Sequence, residues 1–397
     1  MSTDCARQPA FGIYVHIPFC VRKCVYCDFN SYPAERSLVD RYVRALLAEI
    51  PRAGERTCGS RRASTLYVGG GTPTVIPAGD LAGVVSACSD LFGLDSRAEV
   101  TVECNPGTVD YRDLRLLRGA GVNRLSVGAQ ALDDGLLRGL GRIHTAADVL
   151  AAVRDARSAG FENINLDLMF GIPGQTVRLW ADTLKRATTL EPEHMSIYPL
   201  ELEEGTPLHR SVSAGEVDLP PEDDVLDMWD AAMETLGASG YARYEISNYS
   251  RPGYEGRHNL TYWKNGEYLG VGAGACSHIS RRRYYNARRP LEFCEAVEKG
   301  RSPVTEIIPP AGAPHDVVLA TEMSETAMMG LRLSDGLSLQ DFRDRFGRDL
   351  AEVFPGVVEN LSGLGLVSES AGSIRLTRRG LFVANAVFRE FVLQAVS

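Results

Sequence analysis

At 397 residues the chain is longer than one small hydrophobic core usually holds, which predicts two or three domains. Its 44% hydrophobic and 23% charged residues are those of an ordinary soluble globular protein, and they exclude a low-complexity or fibrous chain. A net charge of −9 argues against nonspecific nucleic-acid binding, which needs a basic face. The first ten residues are polar and mixed, with no apolar segment of a secretory signal, and no run is long enough for a transmembrane helix. Nine cysteines in such a chain fit a reducing cytoplasm and do not suit a disulfide framework, which an odd count also disfavours.

The first strand pattern is Ile13–Ile17, and directly after it come Cys20, Cys24 and Cys27 in the spacing Cys-x3-Cys-x2-Cys. Thiolates are the usual ligands of iron–sulfur clusters, and three of them leave one iron of a four-iron cluster open to a small molecule. A structural zinc site wants four ligands, and no second cysteine pair follows at zinc-finger spacing. His16 could complete a Cys3His site, yet on the strand it could equally face a barrel interior, and plain buried thiols remain a third reading. Cys5, Cys58, Cys88, Cys104 and Cys294 show no ligand spacing and read as ordinary thiols.

Further strand-like runs follow at Thr65–Val68, Val100–Glu103, Arg124–Val127, Asn163–Leu168 and His194–Tyr198, separated by helical patterns at Leu38–Ile50, Asp80–Leu91, Tyr111–Gly119 and Ala146–Ala159. This alternation predicts parallel βα units, and six of them make an incomplete TIM-like barrel with its chemistry at the C-terminal ends of the strands. Polar residues fall at those ends. Gly70, Gly71 and Thr72 follow the second strand in a glycine-rich loop that lets backbone approach a ligand closely. Glu103 ends the third strand in Val-Glu-Cys-Asn-Pro-Gly, Gln130 follows the fourth, Arg142 lies beyond it, and Asp167 ends the fifth. Carboxylate and amide groups can accept from hydroxyls or an amino group, and an arginine can pair with a carboxylate.

The cysteine stretch resembles the cluster loop of the radical SAM superfamily. Proteins of that superfamily bind S-adenosylmethionine through its amino and carboxylate groups on the open iron. An electron from the cluster splits the sulfonium and gives a 5′-deoxyadenosyl radical. The resemblance implies an α/β fold, an incomplete (β/α)6 barrel, with Cys20, Cys24 and Cys27 holding a [4Fe-4S] cluster. It implies contacts to S-adenosylmethionine from Tyr14, Tyr26, Gly70, Gly71, Thr72, Glu103, Gln130, Arg142 and Asp167.

Past residue 200 the pattern loosens. Glu201–Asp218 reads as loop and Asp224–Gly237 as helix, followed by the motif His258-Asn259-Leu-Thr-Tyr262-Trp263 and a glycine-rich stretch to His278. The run Arg281-Arg282-Arg283, with Arg288 and Arg289, reads as a solvated face or as a surface for a carboxylate-bearing ligand or partner. A Pro-rich break at 309–314 precedes helical patterns at Leu337–Phe346 and Leu350–Leu361, a hairpin at Leu366–Leu376 and a final helix at Arg379–Leu393. That order suggests a small winged-helix-like module with a structural or docking role. The expected domains are therefore a barrel over 1–235, an extension over 236–305 and the winged-helix-like domain over 306–397.

Over nearly its whole length the chain resembles the coproporphyrinogen oxidase-like group of the superfamily. The oxidases carry a fourth cysteine two residues after the third, where this chain has Phe29 in Cys27-Asp28-Phe29-Asn30. The sequence instead resembles the heme chaperones of the HemW type, which share the His-Asn-x2-Tyr-Trp motif. That resemblance implies heme as a third cofactor, with His258, Asn259, Tyr262 and Trp263 as heme-binding residues. Cys276 and His278 are further candidate iron ligands. The implied partners are heme, heme-acceptor proteins and an electron donor, with room for a homodimer and for peripheral membrane contact through acceptors. A radical SAM C-methyltransferase of the same subgroup and the oxygen-independent oxidase itself are the alternative activities.

Overall fold

The computed structural model describes residues 11–55, 62–94 and 96–393; Cys5 and Cys58 lie outside the described residues. Six strands alternate with helices as the apolar periodicity requires: β1 Gly12–Ile17, β2 Thr65–Gly70, β3 Glu99–Cys104, β4 Arg124–Gln130, β5 Ile164–Phe170 and β6 His194–Pro199. All five neighbouring pairs among them are parallel. Strands of a parallel sheet are covered on both faces, and Ile13, Val15, Ile17, Leu66, Val68 and Val102 are accordingly fully buried. The helices between them start on real caps. Asp110 and Thr145 each form a capping box at the head of the helices Tyr111–Gly119 and Ala146–Ser158.

The sheet continues beyond these six. β7 Ala242–Arg243 and β8 Asn248–Ser250 add antiparallel strands at the β6 edge. At the other edge β9 Tyr268–Val271 pairs parallel with β1, and β10 Cys276–Ile279, β11 Arg282–Asn286 and β12 Val304–Ile308 follow antiparallel. Among the described residues the result is one sheet of twelve strands, ordered β12-β11-β10-β9-β1-β2-β3-β4-β5-β6-β8-β7. Residues 242–308 thus extend the barrel sheet, and their Phe293, Cys294 and Val297 belong to its core.

Residues 315–393 build a second core around Phe342, Leu361, Ile374, Val387 and Phe391. A three-stranded sheet joins Leu337–Ser338, Ser373–Leu376 and Val367–Ser370, and the expected hairpin turns at Ala371 and Gly372, both with positive φ. Three expected elements differ. The helix expected over Leu350–Leu361 is two short ones, Leu350–Val353 and Val357–Gly363, because Pro355 removes a donor and Gly356 turns left-handed at φ 75°. The final helix is interrupted at Val383, giving Arg378–Phe382 and Ala384–Arg389. Within the expected loop 201–218 lies a helix, Pro207–Ser213, begun by the Thr206 cap and by proline at its first position.

The arginine run is not a free basic face. Arg283 pairs with Glu325 at 2.7 Å and Arg281 with Glu322 at 3.0 Å, while Arg282 donates to the Pro309 carbonyl. Arg345 also reaches Glu322, at 2.6 Å. The Arg281 and Arg283 pairs, with Arg345 donating to the Asn265 carbonyl at 2.9 Å, fasten the C-terminal domain to the barrel extension. No helix among the described residues is long and apolar enough to cross a membrane.

Candidate functional site

The site lies at the C-terminal ends of β1–β6, where loops and inward-pointing side chains meet. The cysteine loop is pinned by backbone hydrogen bonds: Val25 N donates to the Leu140 carbonyl at 3.2 Å, and Leu208 N to the Val25 carbonyl at 2.9 Å. Lys23 Nζ ties the loop's end to the Phe29 carbonyl at 2.8 Å. The Gly69–Gly71 loop packs so tightly that side chains have no room. A Cβ on Gly71 would stand 2.5 Å from the Phe19 carbonyl oxygen, and Gly70 adopts φ 121° with its Cβ position 2.6 Å from the His16 ring.

One cavity of about 730 Å³ gathers the cysteines and the strand ends. It is lined by Cys20, Cys24, Cys27, Tyr26, Gly70, Gly71, Thr72, Glu103, Gln130, Arg142 and Asp167, which is every residue expected at the cluster and at S-adenosylmethionine except Tyr14. Tyr14 sits deeper, its Oη 2.8 Å from His16 Nδ1 and its ring stacked 6.3 Å from Tyr67. Gln130 reaches the cavity through a bulge in β4 and a left-handed backbone at φ 63°.

Glu103 accepts from Tyr67 Oη at 2.7 Å and from the Gly70 amide at 3.0 Å, and burial still pushes its carboxyl up to about 7. Burial likewise raises Asp167, whose carboxylate accepts from Asn165 Nδ2 at 2.7 Å and Ser126 Oγ at 3.2 Å. Arg142 Nη1 lies 3.6 Å from Cys24 Sγ, and Thr72 Oγ1 lies 3.7 Å from Cys20 Sγ. These are donors turned toward the sulfurs.

The donor set fits a polynuclear cluster. Among the described residues no three His, Cys, Asp or Glu side chains converge closely enough to hold a single ion. His16 is spent on Tyr14 Oη and on the Asn30 carbonyl at 3.0 Å, so it does not complete a Cys3His set. The three thiols are free, partly exposed and line one cavity, as a cluster taking one thiolate per iron requires. Bound there, such a cluster would be held by Cys20, Cys24 and Cys27 and would supply one-electron chemistry beside S-adenosylmethionine. Of the remaining cysteines, Cys88 and Cys104 are buried thiols pushed up to about 12 by burial, although Cys104 also borders the cavity.

The lining also has an apolar part, which was missed from sequence. It is made by Trp229, Ile246, Leu381, Phe382, Val383 and Phe388, so the broken C-terminal helix closes over the barrel mouth. Trp229 packs edge-on against Phe382 at 5.3 Å and against Phe170 at 5.9 Å. Arg22, Lys23 and Arg332 also border the cavity. On the polar side Tyr67, Asn105, Ser126 and Gly128 also contribute. A period-two count back from Gln130 or onward from Glu103 would have found the last three.

The His-Asn-x2-Tyr-Trp motif lies elsewhere. The helix Arg257–Trp263 plugs the opposite, N-terminal end of the barrel, with the Arg257 and His258 amides donating to Glu99. His258 is 1% exposed, its Nδ1 2.8 Å from Thr65 Oγ1 and its Nε2 2.7 Å from Tyr262 Oη. Neither ring nitrogen is open to iron in this arrangement, and burial lowers the imidazole to about 3, so it is neutral. Asn259 is partly buried on the same helix. Trp263 turns toward the C-terminal domain, with the Arg332 guanidinium 4.4 Å above its ring. Cys276 Sγ lies 3.6 Å from Tyr268 Oη, and His278 Nδ1 3.0 Å from the Gly266 carbonyl, both on the barrel extension outside the cavity.

The parallel barrel with a three-cysteine loop after its first strand defines a radical SAM protein, and the radical SAM superfamily profile matches residues 14–187. The HemN C-terminal domain profile matches residues 319–383. The "Heme chaperone HemW" of Bacillus subtilis is 36% identical over 380 residues, covering 96% of this chain and 98% of that protein. Its Lactococcus lactis namesake is 32% identical, with 98% and 99% coverage. The crystal structure of coproporphyrinogen III oxidase (HemN) from Escherichia coli superposes with a TM-score of 0.81 over 98% of this chain and 91% of that one, at 24% identity, a likeness of fold. The chain belongs to the HemW family of radical SAM proteins.

Proposed function

We propose that this protein is a heme chaperone: it receives heme, holds it in the mouth cavity and hands it to acceptor proteins. The observation that carries this reading is the cavity's mixed lining. Trp229, Phe382, Val383 and Phe388 line it together with thiols and polar groups, in a volume of about 730 Å³. Pockets for cofactors are concave, mostly apolar and a few hundred cubic ångströms in size. Heme is a flat apolar disc with two carboxylates, and the aromatic wall suits the disc while Arg22, Lys23 and Arg332 suit the carboxylates. Exposed apolar side chains also border the cavity: Phe29 is 64% exposed, and Val383 and Tyr198 are exposed too, which suits transient contact with an acceptor. The family assignment supports the cargo, since the relatives carry the name heme chaperone. A cytoplasmic setting and an electron donor complete the reading.

Anaerobically reconstituted protein titrated with heme tests it. Saturable binding with a shifted Soret band is expected, and Trp229→Ala with Phe382→Ala should weaken it about 10- to 100-fold, or ~1.4–2.8 kcal/mol. No saturable Soret change in the wild-type protein would sink the proposal. Unchanged affinity in a folded double variant would move heme out of this cavity.

A further inference from the structure

The cysteine wall carries a hydrogen-bond chain whose central residue, Asn105, belongs to none of the sequence assignments. Arg142 Nη2 donates to Asn105 Oδ1 at 2.6 Å. Asn105 Nδ2 donates to Thr72 Oγ1 at 2.6 Å, and Thr72 Oγ1 donates onward to Cys20 Sγ at 3.7 Å. The same guanidinium reaches Cys24 Sγ directly through Nη1 at 3.6 Å and is anchored by the Gly128 carbonyl at 2.7 Å. One cation thereby acts on two of the three cysteines, on Cys24 directly and on Cys20 through Asn105 and Thr72. Each bond in such a chain polarises the next.

A second observation points the same way. Gly128 leaves open the space the chain occupies. A Cβ there would stand 2.5 Å from Asn105 Oδ1 and 3.2 Å from Arg142 Nη2. Any side chain at 128 would push the amide off its partner.

We infer that Asn105 is a positioning residue that sets the reduction potential of the cluster, by orienting the Thr72 hydroxyl and the Arg142 guanidinium toward the sulfurs of Cys20 and Cys24. Hydrogen bonds to cluster thiolates stabilise the reduced, more negative state and raise the potential. Asn105 fits this task because its amide is both acceptor for Arg142 and donor to Thr72. Aspartate keeps the acceptor and loses the donor. Leucine loses both. The inference rests on the cluster that the family carries, independently of where heme binds.

The test is an EPR-monitored redox titration of reconstituted protein, with iron and sulfide counted in each sample. Asn105→Leu, Asn105→Asp and Gly128→Ala should each lower the midpoint potential. A tenfold smaller ratio of reduced to oxidised cluster at fixed potential corresponds to ~59 mV. Thr72→Val should shift it in the same direction, and Thr72→Ser should restore the wild-type value. Fully loaded Asn105→Leu and Thr72→Val proteins with wild-type potentials would overturn the inference. If the Asn105 variants do not fold, the Thr72 pair decides alone, since valine is isosteric and lacks only the hydroxyl donor. Heme titration of the same samples reads the chaperone proposal separately.

Discussion

The two ends of the barrel are built from similar residues and do opposite things. At the mouth, Glu103, Gln130, Arg142 and Asp167 turn toward an open volume shared with three free thiols. At the floor, His258, Thr65, Tyr262 and Glu99 turn toward one another and leave no volume between them. Buried polar groups must find partners, and what differs is where the partner comes from. A polar cluster that satisfies itself holds the fold. A polar cluster that faces a cavity is completed by a ligand. That criterion supports the proposed placement of the ligands at the mouth, although the floor carries the motif that the family resemblance associates with heme.

The largest effect expected from breaking this contrast is at the mouth. Cys24→Ala should leave the barrel folded and bring iron and sulfide after reconstitution close to background, because the loop is held by backbone bonds to Leu140 and Leu208 and does not depend on the thiol. Full cluster loading in that variant would break the assignment of the triad. The next effect is at the floor. His258→Ala removes a buried ring and strands the Thr65 and Tyr262 hydroxyls, which should cost about 2–4 kcal/mol in denaturant unfolding. In the fraction that stays folded, heme affinity should change less than about threefold. Loss of the Soret shift in well-folded protein would return heme to the floor and reverse the comparison.

The barrel was legible because its signal is local. Alternating β and α patterns fix parallel units, and the strand-end rule then places Cys20, Gly70, Glu103, Gln130 and Asp167 on one face without further information. Phe382, Phe388 and Trp229 were illegible for the opposite reason. They are apolar residues on helices more than a hundred residues apart, and only the packing of the C-terminal domain over the barrel brings them to the same cavity. His258 shows the limit of motif reading. Its residue types suit iron ligation, but the two hydroxyls that occupy its nitrogens come from Thr65 on β2 and from Tyr262, one helical turn away. Asn105 lay within a stretch read for Glu103 alone, two residues further along the same strand direction, and its role depends on contacts with Thr72 and Arg142 that no spacing reveals.

The smallest expected effect separates the two ends by pH. Glu103 is ionisable and held at about 7 by burial, well above the ordinary carboxylate range, and Asp167 is raised for the same reason. A carboxyl raised in the folded state stabilises the protein fully below its unfolded pKa, and that contribution is lost as pH rises through the folded value. Stability of the ligand-free protein should therefore fall by about 1.4 kcal/mol between pH 6 and pH 8 from Glu103 alone. Tyr67 and the Gly70 amide favour the ionised form but do not outweigh desolvation, and Arg124 acts in the same direction from further off. The floor acts in the opposite sense: His258, lowered to about 3 by burial, stays neutral in the folded protein while its unfolded counterpart protonates below about 6.5, so its penalty shrinks by about 0.8 kcal/mol as pH rises from 6 to 8. Glu103→Gln should flatten the slope, whereas a floor variant such as Thr65→Val should lower stability equally at both pH values. A slope unchanged in Glu103→Gln would mean that the mouth carboxylate is not the group left waiting for a partner.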